Sequence, residues 1–135
     1  MASASVRWTG GMSFIGTDST KHSVVLSTPG EGVGMKPSEL LLVAVASCSS
    51  VDVVEILEKK KLKLTGLEVQ VSAEQESDPP WTFRKIHMHY RVTGSGLTPK
   101  AVEQAIRLSE EKYCSVAATV RPTAEITFDF EIIEA

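Results

Sequence analysis

From Leu40 to Ala46 every position is apolar. Beyond Ser50 the same stretch turns amphipathic, with Val53, Val54, Ile56 and Leu57 set against Asp52, Glu55 and Glu58. That spacing predicts one long α-helix. Pro37 suits its first position, Ser38 and Glu39 its first turn, and Lys59, Lys60 and Lys61 its negative end. An all-apolar opening is expected to be buried on every side, and the amphipathic remainder to finish in solvent. After it the period changes from helical to two. "LEVQVSAEQ" sets Leu67, Val69 and Val71 against Glu68, Gln70 and Ser72, and "TFRKIHMHYRVTG" places Ile86, Met88, Tyr90 and Val92 on one face. "SDPPWT" between them reads as a hairpin loop.

A second helix is expected from "TPKAVEQAIRLSEEKYC", with Thr98 as N-cap and Pro99 at its first position. The final strand, "AEITFDFEII", points Ala124, Ile126, Phe128, Phe130 and Ile132 inward. The first 28 residues read as short strands around turns, and "TPGEGVGMKP" as a connector with neither glycine-rich phosphate motif. The order strands, long helix, hairpin, helix, strand predicts an α+β fold with a mainly antiparallel sheet, in one domain spanning 1–135. No internal repeat appears.

Composition narrows the function. The 135 residues carry 14 basic and 17 acidic side chains, a net charge of -3, so no basic excess attracts nucleic acid. No run approaches the ~18 consecutive apolar residues of a membrane span. "MASASVRWTGG" lacks the basic and apolar regions of a secretory signal. The expectation is a cytoplasmic protein with no membrane or nucleic-acid partner, no cofactor and no metal.

Candidate chemistry is sparse. His87 and His89 share a strand face, but Lys85 and Arg91 share it too, which favours a solvated polar face over a metal site. His22 starts a strand, where an imidazole is usually structural. "SCSS" around Cys48 lacks a nucleophile elbow. The remaining candidates are the two cysteines, Cys48 within the long helix and Cys114 after the second helix. In a reducing compartment they are either small core residues or a redox pair. Ser47, Ser49 and Ser50 could bond a thiolate or a backbone bend. Cys114 stands where a new helical piece could begin and lower a thiol pKa.

"KPSELLLVAVASCSSVDVV", "KYCSVAATV" and the separation between them resemble the osmotically induced protein and organic hydroperoxide resistance (OsmC/Ohr) family, and most of all its YhfA-like branch. The likeness covers nearly the whole chain. It implies an intertwined homodimer with sheets wrapped around a long central helix. It also implies that Cys48 is the peroxidatic thiolate, which attacks an organic hydroperoxide, and that Cys114 is the resolving thiol. The resulting disulfide would be reduced by an external dithiol. The chain departs from the family peroxidases at two points. Arg7 is the one arginine before Cys48 and does not match their N-terminal arginine, and Ser38 stands where they carry a glutamate, with Glu39 one residue later. Cys48, Cys114 and Glu39 are therefore the candidate catalytic residues. The alternative reading is a non-catalytic protein that binds an apolar small molecule in the same cleft.

Overall fold

Short β-branched and aromatic runs punctuated by glycine, aspartate and serine build the first sheet. Strands β1 (Ala4–Gly10), β2 (Ser13–Asp18) and β3 (Ser23–Ser27) pair in that order, both pairings antiparallel. Gly10 and Gly11 turn the first hairpin at φ 109° and 54°, the left-handed region open to glycine. Asp18 organises the second turn by accepting from the backbone N–H groups of Thr20 and His22. A Cβ on Gly34 would sit 2.7 Å from the Val25 backbone, so glycine is what lets the following loop close on β3. The computed structural model describes residues 2–135. They divide into two compact units, one reaching to Leu41 and one spanning Leu42–Ala135. This sheet belongs to the first, and its strands are thinly covered, with Val6 and Trp8 67% and 66% exposed.

The long helix forms as the periodicity predicts, α1 (Pro37–Lys59), and its larger part belongs to the second unit. There it joins strands β4 (Lys63–Gln75), β5 (Phe83–Ser95) and β6 (Glu125–Glu134) and helices α2 (Pro99–Leu108) and α3 (Ser115–Val120). Thr98 caps α2 through its Oγ1, which accepts from Ala101 N–H at 3.2 Å, and Pro99 occupies the first turn. The core is the inward face of β5 (Met88, Tyr90 and Val92) against Val45, Val53 and Leu57 of α1 and Val102, Ala105 and Ile106 of α2. β6 adds Ile126, Phe128, Phe130 and Ile132 on the same side, alternating with exposed residues as predicted.

Two features differ from the sequence reading. β4 and β5 form the expected antiparallel hairpin, but β6 pairs with β5 in parallel. The α2–α3 connection is long enough for the crossover that a parallel neighbour requires, and alternation within a strand carries no information on its direction. The second concerns α1. Its buried residues are Val45, Ala46, Ser49, Val53 and Leu57, a stripe at helical spacing, whereas Val43 and Val51 are 46% and 58% exposed. The apolar opening is thus not enclosed by its own chain. α1 is long and apolar enough to cross a membrane by length and composition, and 28% of its most apolar 18-residue window is buried.

Candidate active site

Cys48 sits half-buried in the middle of α1, one residue before the fully buried Ser49. Cys114 arrives by a less regular route. After α2 the chain makes a π-helical turn, Ser109–Tyr113, which closes with Cys114 N–H donating to Ser109 O at 2.8 Å. The wider turn takes in one residue more than an α-helix would, and such turns concentrate at functional sites. Cys114 then leaves helical geometry at φ −81°, ψ 105° and caps α3, its Sγ accepting from Ala117 N–H at 3.3 Å. Sulfur takes the place of the usual cap oxygen. Cys114 is 2% exposed, and both cysteines are free thiols.

The two thiols act on one another's ionisation. Burial works to raise the Cys48 thiol, but it is outweighed by hydrogen bonds from the Cys114 thiol, the Val116 N–H, and the Ser115 hydroxyl and N–H. Together they hold Cys48 below the ordinary thiol range. Cys114 moves the other way, to about 11: burial raises it, and so does donating its proton to Cys48. Environment thereby separates two chemically identical groups. Cys48 is the sulfur that ionises first and has access to solvent, while Cys114 stays protonated and donates to it. The sequence pointed to a helix start lowering the pKa of Cys114; the segment that begins α3 instead favours the Cys48 thiolate. Two of the four donors are backbone groups, for which sequence gives no signal beyond the helix start itself.

The surrounding polar groups are bonded among themselves. Ser49 Oγ lies 2.6 Å from Tyr90 Oη, and Ser109 Oγ lies 3.2 Å from Ser49 Oγ and 2.8 Å from Asp52 Oδ2. Burial drives the Tyr90 hydroxyl far above its usual range. Ser47 and Ser50 bond back to Val43 O and Ala46 O, so the serines flanking Cys48 serve the helix backbone and Tyr90.

Glu110, in the π turn, is the unexpected group. It is 8% exposed and its Oε1 has no hydrogen-bond partner, although Arg121 Nη2 bonds the Glu110 backbone carbonyl. Burial raises its pKa, partly offset by the Arg121 charge. A carboxyl raised on folding stabilises the protein below its unfolded pKa and loses that contribution as pH rises through the folded value. Glu110→Gln is therefore expected to leave the melting temperature unchanged near pH 4 and to raise it by about 2–4 °C at pH 8. Thermal melts of both proteins across that range decide it; an equal shift at the two pH values would refute the assignment.

The other candidates have separate occupations. Glu39, exposed in the first turn of α1, pairs with Lys36 at 2.9 Å. His22 Nδ1 bonds Thr20 Oγ1 at 2.8 Å within the Asp18 turn. His87 and His89 do share a face, as alternation predicts, and two carboxylates lie beside them. His87 Nε2 and His89 Nδ1 lie 2.9 and 2.8 Å from Asp129 Oδ1, and His89 Nε2 lies 3.7 Å from Glu131. The parallel register brings these acids across from β6. The hydrogen bond that His89 donates to the Asp129 carboxylate raises the His89 pKa, and the cluster forms an outer polar face.

Comparison with known proteins gives a consistent result. The family model described as OsmC-like protein matches residues 30–129. Protein YhfA of Escherichia coli (strain K12) is 35% identical over 132 residues, which cover 98% of each chain. Among solved structures, a hypothetical protein from Aquifex aeolicus VF5 superposes with a TM-score of 0.90 at 30% identity, covering 100% of this chain and 98% of that one. The organic hydroperoxide resistance protein OhrB of Bacillus subtilis superposes with a TM-score of 0.65 at 16% identity, covering 97% and 98%; at that identity it supports the fold alone.

Proposed function

The chain belongs to the OsmC-like family, and from that membership and its paired thiols we propose that it is a cysteine-based reductase of organic hydroperoxides, serving oxidative-stress defence. The observation that carries the reading is the division of labour between the sulfurs, Cys48 lowered and half-exposed, Cys114 raised and buried. Some proteins of this fold bear the name organic hydroperoxide resistance protein.

In the proposed sequence the Cys48 thiolate attacks the terminal oxygen of the hydroperoxide. An S–O bond forms, the O–O bond breaks, and the departing alkoxide takes a proton to become the alcohol. Cys48 is then a sulfenic acid. The Cys114 sulfur attacks Cys48, the S–S bond forms, and hydroxide leaves with the Cys114 proton as water. An external dithiol supplies two electrons and two protons to restore both thiols, becoming a disulfide itself. The four donors around Cys48 take over the thiolate support for which the family peroxidases use an arginine. Glu39, exposed and paired with Lys36, has no step in this sequence.

The active form we propose is a cytoplasmic homodimer. Val43 and Val51 along α1 and Val6 and Trp8 on the first sheet are exposed apolar side chains that a second copy could cover. A second copy would also bury the part of α1 that makes it apolar enough for a membrane.

The test is direct. One equivalent of cumene hydroperoxide added to the reduced protein should give, by mass spectrometry of the digest, a Cys48–Cys114 disulfide and one equivalent of alcohol. Recovery of both cysteines as free thiols with the hydroperoxide intact would end the reading.

A further inference from the structure

The buried hydroxyl network beside the cysteines has no part in the steps above, yet it touches both segments that carry them. Ser109 is its centre. Its carbonyl accepts the Cys114 N–H at 2.8 Å, closing the π turn. Its hydroxyl reaches the other way, to Asp52 Oδ2 at 2.8 Å and Ser49 Oγ at 3.2 Å. Ser49 directly follows Cys48, and Asp52 lies one helical turn beyond it. We propose that Ser109 is a positioning residue that holds the Cys114 sulfur in register with Cys48 by bonding the two segments at once.

Ser109 Oγ donates to Asp52 Oδ2 at 2.8 Å, its shorter contact, and towards Ser49 Oγ at 3.2 Å, while the Ser49 and Tyr90 hydroxyls share a hydrogen bond of 2.6 Å. Ser49, Tyr90 and Ser109 are each 0% exposed, in a core that is otherwise apolar. Alanine at the serines and phenylalanine at Tyr90 would fill nearly the same space without desolvating three hydroxyls, so packing alone does not account for the set. What hydrogen bonds add is direction and a fixed length. A disulfide demands both, because its Cβ atoms must come within a narrow window near ~3.8 Å. The need is local: a π turn bends more freely than an α-helix, and without a tie at its first residue Cys114 could move along α1 while the core stayed intact.

This inference rests on the thiol-pair reading, so its test uses one measurement that needs no peroxide. The first is the pH profile of Cys48 alkylation by iodoacetamide, read on the Cys48 peptide. The second is the rate of Cys48–Cys114 disulfide formation after one equivalent of cumene hydroperoxide. Ser109→Ala should slow alkylation at pH 7 by about threefold, because the Cys114 donor is no longer held on the Cys48 thiolate. It should slow disulfide formation by about tenfold, while sulfenic acid trapped by a dimedone-type reagent accumulates. An alkylation profile superimposable on wild type overturns the positioning role. If wild type forms no disulfide but the profile shifts, the peroxide reading falls and the positioning role stands. Should Ser109→Ala not fold, Asp52→Ala and Asp52→Asn decide. Asparagine keeps an acceptor for Ser109 and should retain the wild-type profile, whereas alanine should shift it; identical profiles for the two overturn the proposal.

Discussion

Cys48→Ser should lose organic hydroperoxide consumption by at least about a hundredfold, the largest functional effect expected of any single substitution here. A serine hydroxyl stays protonated under conditions where a lowered thiol ionises, and neutral oxygen is a poor nucleophile towards peroxide. The four donors that favour the Cys48 thiolate would then face a group with no charge to stabilise. Cys114→Ser should behave differently. The first attack survives, since the site still has its backbone donors, but the sulfenic acid has no partner and accumulates after one turnover with the dithiol omitted. Glu39→Gln should change turnover by less than about threefold, since Glu39 is exposed and engaged by Lys36. Stopped-flow peroxide consumption with sulfenic-acid trapping separates the three. Undiminished consumption by Cys48→Ser would show that the activity has another origin.

Val51→Asp should convert a dimer to a monomer or to an unfolded chain. Wild type is expected to sediment at twice the 14.6 kDa mass of one chain. In a two-fold symmetric interface each residue appears twice, so the substitution places two carboxylates in an apolar contact. Each loses about 1–2 kcal/mol of valine burial and adds the larger cost of desolvating a charge. Val51 is 58% exposed within its own chain and has few internal contacts to lose, which makes it a cleaner probe than Val45 or Leu57. Sedimentation velocity over a hundredfold concentration range, with thermal melts alongside, distinguishes dissociation from unfolding. A wild-type monomer at all concentrations, or an unperturbed Val51→Asp dimer, would remove the homodimer from the proposal.

Much of this molecule can be read from its sequence, and the rest has identifiable physical reasons for being hidden. Strong periodicity identified α1, the β4–β5 hairpin, α2 with its Thr98 cap, and the inward face of β6. These elements are specified locally. The direction of β6 was hidden because side-chain alternation is the same for parallel and antiparallel neighbours. That single unknown also concealed the carboxylates Asp129 and Glu131 beside the histidines. The apolar run Leu40–Ala46 signalled burial on every side, whereas within the chain only Val45 and Ala46 of the run are buried, because apolarity alone does not say which faces of a helix its own chain covers. Within the site, the cysteines were recognisable by resemblance. The donors on Ser115 and Val116 were not, being largely backbone groups placed by a π turn that "SEEKYC" does not announce. Ser49 was read as a partner for a thiolate or a backbone bend, and its bonds to Tyr90 and Ser109 were hidden because a partner forty or sixty positions away leaves no local trace.

The parallel pairing of β6 has a consequence in time as well as in space. Cys114 lies in the crossover between β5 and β6, so its station is secured from both sides only when the last strand has docked beside β5. Pairing of this long-range kind comes late, since the chain must first close a large loop. The groups that lower the Cys48 pKa, on Cys114, Ser115 and Val116, all lie in that same crossover, so the lowered value belongs to the completed fold and not to α1 by itself.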